Sequence, residues 1–96
     1  KITEEGINYL SEHKDLEELI LHNCEQIPLS TFRRWDKSKL KKLELIANEA
    51  IEDEDLLDLL TLRSLEVLDL SMCFSVTQEG ICAFKKAGFF GKVVMN

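Results

Sequence analysis

The chain has 96 residues, which is the size of one domain rather than two. Its 12 lysine and arginine residues against 18 aspartate and glutamate residues give a net charge of −6, and an acidic chain is a poor ligand for the nucleic-acid phosphate backbone. Apolar residues make up 45% and charged residues 31%, which indicates a globular chain, and the apolar runs are too short for a membrane-spanning helix.

The first predicted element is a helix near the amino end of the chain. Ile2 precedes Thr3, whose hydroxyl can accept hydrogen bonds from the first free amides of a helix. Ile7 and Leu10 follow three residues apart and therefore share one helix face. The segment thus predicts an N-capped helix with one apolar side.

A strand, a turn and a second helix are predicted next. The apolar template of this unit consists of Leu16, Leu19, Leu21, Cys24 and Ile27. Leu19 and Leu21 alternate, so both point to one face of an extended chain. Pro28 suits a helix entry, where no amide donor is needed, and Phe32 and Trp35 repeat the helical spacing of three. Trp35 is therefore predicted to lie in the core.

The same strand, turn and helix recur twice at intervals of 24 and 25 residues. The later templates are Leu40, Leu43, Leu45, Asn48 and Ile51, and Leu65, Leu68, Leu70, Cys73 and Val76. Their helix faces are marked by Leu56 with Leu59 and by Ile81 with Phe84, and Thr77 is a second predicted N-cap. Self-similarity of this period is typical of a stacked repeat protein.

A last strand is predicted at the carboxyl end. Gly88 followed by Phe89 indicates the end of the preceding helix. Phe90, Val93 and Met95 then repeat the template, with Phe90 at the position of Leu65. The predicted single domain, residues 1–96, comprises a half repeat (1–15), three repeats (16–39, 40–64 and 65–89) and a half repeat (90–96).

The recurring residues Leu-x-x-Leu-x-Leu-x-x-Cys-x-x-(Ile/Val)-Thr-x-x-Gly-Ile, complete from Leu65 to Phe84, resemble the leucine-rich repeats of the cysteine-containing subtype, the F-box and ribonuclease-inhibitor-like class. The second repeat departs from the pattern with Asn48 and Glu52, and the first with Pro28 and no glycine. The chain is also similar to the family of mitochondrial coupling factor B and its assembly-factor relatives. The resemblance implies an α/β solenoid with a short parallel β-sheet on the concave side and helices on the convex side.

The residues between the template leucines are predicted to face outward on the concave side and to bind another protein. They are Glu18, Ile20, His22, Lys42, Glu44, Ile46, Val67, Asp69, Ser71, Lys92 and Val94, with Asn96 continuing the series. Ile20, Ile46, Val67 and Val94 are apolar where solvent is expected, which suits a modest protein interface. Aliphatic residues also simply suit strands, and this alternative stays open. The series contains no aromatic anchor.

Charge is segregated along the chain. Six basic residues fall within ten positions, and seven acidic residues follow: Arg33, Arg34, Lys37, Lys39, Lys41 and Lys42, then Glu44, Glu49, Glu52, Asp53, Glu54, Asp55 and Asp58. These runs form either two patches that orient a partner or pairs between neighbouring helices. Arg34 and Asp58 occupy equivalent places in adjacent units and are the predicted pair.

The sequence predicts no catalytic, cofactor-binding or metal site. The three cysteines, Cys24, Cys73 and Cys82, are odd in number and lack both zinc-ligand spacing and the tight spacing of a disulfide framework. We therefore expect Cys24 and Cys73 to be small buried residues and the chain to be intracellular. The acidic run Glu52–Asp55 lacks the alternating ligands of a calcium loop and suits the first turn of a helix. Motifs of nucleotide binding and of hydrolases do not occur.

The predicted function is therefore non-catalytic protein binding. The resemblance implies a substrate-recognition segment of an F-box-like ubiquitin ligase receptor; the alternative is a structural or assembly subunit of a mitochondrial or other large complex. Open ends of repeat stacks need covering, so flanking repeats or a partner chain are expected at one end at least.

Overall fold

The computed structural model describes residues 3–10, 12–13, 15–36 and 38–95, so the expectations for Ile2, Lys37 and Asn96 lie outside the described residues. Helices and strands alternate through the described part. The elements are α1 (Glu4–Leu10), β1 (Glu18–His22), the 3₁₀-helix η1 (Leu29–Arg34), β2 (Lys42–Ile46), the 3₁₀-helix η2 (Asp53–Thr61), β3 (Val67–Asp69), α2 (Gln78–Lys86) and β4 (Lys92–Val94).

The strands form one parallel sheet in the order β1-β2-β3-β4. The pairing register joins equivalent template positions: Leu19 pairs with Leu43, Leu43 with Leu68, and Leu68 with Val93. The predicted ladder of leucines is therefore confirmed, as is an α/β chain with a parallel sheet.

One face of the sheet packs against the helices and the other does not. Along β1 the residues alternate between exposed and buried, and the buried strand residues belong to the same core cluster as the predicted helix residues. The core members that were predicted from the repeat are Ile7, Leu19, Leu21, Phe32, Trp35, Leu43, Leu45, Leu56, Leu59, Leu68, Leu70, Ile81 and Phe84. Helices and strands thus seal one apolar layer between them, and Trp35 is confirmed as a core residue.

The two middle helices are 3₁₀-helices, a type that the sequence analysis did not specify. In a 3₁₀-helix residues three apart lie directly above one another. Leu56 and Leu59 are spaced by three and are both buried, so this tight form turns both of them toward the core. In α2 the buried Gly80 and Phe84 are four apart, which is the spacing of an α-helix.

The turn after each of the first three strands has the same backbone conformation. Asn23, Ala47 and Met72, the residues that precede Cys24, Asn48 and Cys73, have φ values of 54°, 61° and 62°. The left-handed turn directs the next side chain under the sheet, where Asn48 Nδ2 donates to the Cys24 carbonyl (3.4 Å) and Cys73 Sγ donates to the Leu45 carbonyl (2.8 Å). Asn48 and Cys73, which occupy the same position in successive repeats, therefore each donate a hydrogen bond to a backbone carbonyl of the preceding repeat.

The end of α2 corrects the expectation for Phe90. Gly88 has φ +132°, Gly88 N donates to the Lys85 carbonyl and Phe89 N to the Phe84 carbonyl, which together form a Schellman motif. This motif places Phe89 against Phe84, with the rings stacked 4.6 Å apart. Phe89 is therefore buried in the place expected for Phe90, and Phe90 is 96% exposed.

Adjacent helices are joined by side chains. Asp53, the first residue of η2, accepts hydrogen bonds from Thr77 N (2.7 Å) and Thr77 Oγ1 (2.6 Å), and the Thr77 hydroxyl also caps α2 by accepting from Gly80 N. The hydroxyl and then the backbone N–H of Thr77 lower the pKa of Asp53 below its ordinary value, while desolvation acts in the opposite direction. The predicted N-caps Thr3 and Thr77 are both confirmed.

A second contact between neighbouring helices differs from the predicted ion pair. Arg33, not Arg34, contacts Asp58, with 2.6 Å between Arg33 Nε and Asp58 Oδ1. Equivalent numbering in adjacent units therefore does not identify the contacting arginine, since adjacent residues of a 3₁₀-helix project about a third of a turn apart. The pair supports the interpretation that part of the charged run joins neighbouring helices.

The Asp53–Thr77 contact predicts a pH-dependent contribution to stability. Because the folded-state pKa of Asp53 is lowered, its contribution is present above the unfolded-state pKa of about 3.9 and is lost as the pH falls through the folded-state pKa. A carboxyl-detected NMR titration is expected to give a midpoint for Asp53 below about 3.9. Thr77→Val, which removes the hydroxyl donor, is expected to raise that midpoint; equal midpoints in the two proteins would contradict the contact.

Candidate protein-binding face

The face of the sheet opposite the helices carries all the described residues that were predicted to bind a partner. We call this surface the open face, and it comprises the strand residues Glu18, Ile20, His22, Lys42, Glu44, Ile46, Val67, Asp69, Lys92 and Val94, with Ser71 in the turn just beyond β3. The strands bring these side chains out by the alternation that buries their neighbours. They are exposed on β1 and half-buried on β2 and β3, so the two central strands are the better covered part of the face.

The pairing register arranges the open face in rows across the strands. The first row runs from Glu18 through Lys42 and Val67 to Lys92. The second row runs from Ile20 through Glu44 and Asp69 to Val94, and the third begins with His22 beside Ile46. The second row therefore has an aliphatic residue at each end and two carboxylates in the middle.

The two central carboxylates are held by separate partners. Lys42 Nζ lies 3.3 Å from Glu44 Oε2 on the same strand. Asp69 Oδ1 accepts hydrogen bonds from Ser71 Oγ (2.6 Å) and Ser71 N (2.9 Å). Glu44 and Asp69 still occupy directly paired positions, and like charges in paired positions of a sheet are destabilising. The fold thus places two carboxylates at neighbouring positions in the centre of this face.

Sequence reasoning missed the apolar residues that border the open face. Met72 and Phe74, in the turn after β3, are 50% and 70% exposed. Phe74 is an aromatic residue of the kind that the strand residues lack, and aromatic side chains often anchor protein interfaces. Their positions on either side of the template residue Cys73 were a signal in the sequence, because both are large apolar residues outside the apolar template.

The three cysteines occupy two kinds of environment. Cys24 and Cys73 are buried, as expected from the repeat, and Cys82 on α2 is exposed. Burial is the largest influence on the Cys73 thiol and raises its pKa. The thiol therefore stays protonated and donates its hydrogen to the Leu45 carbonyl. Cys73 is therefore a packing residue rather than an activated nucleophile.

Metal sites and membrane-spanning helices are absent from the described residues. No group of three or more His, Cys, Asp or Glu side chains in this part of the chain is arranged to hold a metal ion. None of the described helices combines the length and apolar character that a membrane crossing needs.

Comparisons with known proteins do not assign the chain to a family. No protein-family model matches it, and no curated protein matches its sequence significantly.

Proposed function

We propose that this chain is a leucine-rich-repeat module that binds another protein through the open face, without catalysing a reaction. The observation that carries the proposal is the second row of that face, in which Glu44 and Asp69 lie side by side between Ile20 and Val94. Two neighbouring carboxylates on an outward-facing sheet surface support a role in binding, because charged groups there can orient a partner.

The row also suggests the chemistry of the partner. Two adjacent carboxylates attract a lysine or arginine side chain, and the flanking aliphatic residues suit apolar side chains on either side of it. Met72 and Phe74 add exposed apolar side chains in the turn that follows β3. The partner class that fits best is thus a protein segment with a basic residue between apolar residues.

Ile20→Asp combined with Ile46→Asp tests the open face directly. Ile20 is 55% exposed and Ile46 is half-buried, so the fold is expected to be retained. The free energy of unfolding is expected to fall by about 1–3 kcal/mol, because a carboxylate at position 20 is paired in register with Glu44. Partners captured from a cell extract by the unmodified chain are identified by mass spectrometry and then purified. Binding of such a partner, measured by calorimetry, is expected to weaken about 100-fold in the double variant.

Leu57→Asp provides the matched control. Leu57 is an exposed aliphatic residue on η2, on the helix side of the molecule, and its replacement is expected to leave partner binding unchanged. Equal losses of affinity for the Leu57 variant and the open-face variant would contradict binding through the sheet. Partner binding that survives both variants would place the interface elsewhere.

The partner's identity distinguishes the finer proposals. We propose recognition of a substrate for an F-box-like ubiquitin ligase, on the basis of the resemblance of Leu65 to Phe84 to that repeat class. Recovery of ligase subunits together with a ubiquitinated partner supports it. Recovery of a stable set of subunits of one large complex favours the alternative role as a structural or assembly subunit.

A further inference from the structure

We infer that a groove between the first and second repeats binds a protein segment in which a basic residue lies beside an aliphatic one. We call it the turn groove; its lining lies within residues 25–29 and 48–55, in the turns after β1 and β2 and at the start of the helices that follow them. Its volume is about 450 Å³, within the range of about 300–1,000 Å³ that is usual for ligand pockets. The inference concerns the turns rather than the sheet and is independent of the open face.

The next junction along the chain, between the second and third repeats, is closed by hydroxyl groups. Ser75 Oγ donates to the Glu49 carbonyl (2.8 Å), and Thr77 Oγ1 donates to Asp53 Oδ2 (2.6 Å). Side chains of the third repeat therefore bind the turn and the helix start of the second repeat directly.

The first junction carries residues that cannot form this closure. Counted onward from the paired strands, Ala50 is equivalent to Ser75, and Leu29 is equivalent to Asp53. Ala50 has no hydroxyl to donate, and Leu29 has no oxygen that could accept a hydrogen bond in its side chain. Both residues line the turn groove. The groove thus lies where the sequence lacks the groups that join the second junction.

The base of the turn groove is aliphatic. Ile27, Leu29 and Ile51 are at most 4% exposed and yet line the groove, so they form its base, while Pro28 and Ala50 are exposed and lie at its edge. An aliphatic side chain that enters the groove leaves water for this surface, which favours binding. Both walls of the groove belong to described repeats.

Charge at the turn groove favours a basic ligand. Glu25 is exposed and Asp55 is half-buried, and the described residues that line the groove include no lysine or arginine. Asp55 Oδ2 accepts a hydrogen bond from Glu52 N (2.8 Å), and a carboxylate can accept further hydrogen bonds. Two carboxylates beside an aliphatic base are complementary to a lysine or arginine next to an aliphatic side chain, and they disfavour an acidic segment.

Titration of the 15N-labelled chain with a short peptide tests the inference. The probe is the blocked peptide acetyl-Ala-Leu-Arg-Leu-Ala-amide, and its binding is followed by the amide chemical shifts of the chain. Saturable shifts are expected at Gln26, Ala50 and Ile51, with a dissociation constant on the order of 1 mM. The same peptide with glutamate in place of arginine is expected to bind about tenfold more weakly or less.

Two variants act on the groove itself. Ala50→Phe fills the groove and Glu25→Lys reverses one of its charges; both positions are exposed, so the fold is expected to be retained. Each variant is expected to weaken peptide binding about tenfold. Glu66→Lys is the matched control, because it makes the same change of charge at an exposed position just before β3, at the opposite end of the strands. It is expected to change the affinity by less than about twofold.

The outcomes separate the turn groove from the open face. Shifts confined to Ile20, Glu44 and Asp69 would place the peptide on the open face, which would overturn this inference and support the proposed function. The absence of saturable shifts at up to about 10 mM peptide would also overturn it. Equal losses of affinity for Glu25→Lys and Glu66→Lys, or affinities that neither groove variant changes, would contradict it equally, since binding would then not depend on the groove.

Discussion

Leu45→Ala is expected to lower the free energy of unfolding by about 2–5 kcal/mol, because it removes a fully enclosed side chain from the middle of the apolar layer. Leu45 lies on β2, is 2% exposed and pairs in register with Leu21. Strands lie on both sides of β2, so little relaxation can fill the cavity. Urea unfolding followed by circular dichroism measures the loss as a lower midpoint at an unchanged slope.

Leu57→Ala is the matched control for this prediction. It deletes the same atoms from a leucine that is 47% exposed on η2, and we expect a loss of no more than about 1 kcal/mol. The difference between the two variants therefore measures burial rather than side-chain chemistry. A loss below about 0.5 kcal/mol for Leu45→Ala would be incompatible with its place in the ladder.

Most of the architecture was predictable because two features of the repeat constrain it: the period between repeats and the alternation within each strand. Leu19, Leu43 and Leu68 recur at one period, and alternation within each strand requires that they face one side. Once the strands are parallel and in register, the helix residues spaced by three can be buried only against that side. The strands, their order and the buried helix faces thus follow from spacing alone.

The departures have a different origin, in local geometry that the repeat does not encode. Phe89 replaces Phe90 in the core because the Schellman motif at Gly88 requires contact with Phe84, which shifts the buried position by one residue. Arg33 rather than Arg34 contacts Asp58, and both arginines lie in the last turn of a 3₁₀-helix that the repeat pattern did not specify. Both outcomes depend on how a helix winds or ends, and a pattern that marks only apolar positions carries little of that information.

The candidate site was predictable in position but not in its internal contacts. Alternation placed Glu44 and Asp69 on the open face, and the register then made them neighbours. The sequence did not indicate that Lys42 and Ser71 would hold these carboxylates separately. Which donor reaches which oxygen depends on side-chain rotamers and strand twist, and these are set by packing rather than by spacing.

The close approach of α2 to η2 depends on a residue without a side chain. Gly80 is buried in the first turn of α2, directly over Asp53. A Cβ at position 80 would overlap the Asp53 carboxyl group and would lie 2.6 Å from Asp53 Cβ, which is attached to the backbone and cannot rotate away. The same carboxyl group holds both the N–H and the hydroxyl of Thr77. Gly80 therefore permits the contact that joins the two helices.

Gly80→Ala is accordingly expected to destabilise the fold by about 1–3 kcal/mol, because α2 must move away from η2 and weaken the hydrogen bonds between Asp53 and Thr77. Helix propensity alone predicts the opposite sign, since alanine is favoured over glycine by up to about 1 kcal/mol in a helix. Whether Gly80→Ala lowers or raises the free energy of unfolding in urea thus decides between close packing and free space at this position.

Cys82→Ala is the control, an exposed change two residues further along α2 that is expected to alter the free energy of unfolding by less than about 0.5 kcal/mol. A gain in stability for Gly80→Ala would show that the two helices are further apart. A loss of stability together with an increase in the Asp53 pKa would show that the Asp53–Thr77 hydrogen bonds have weakened as expected.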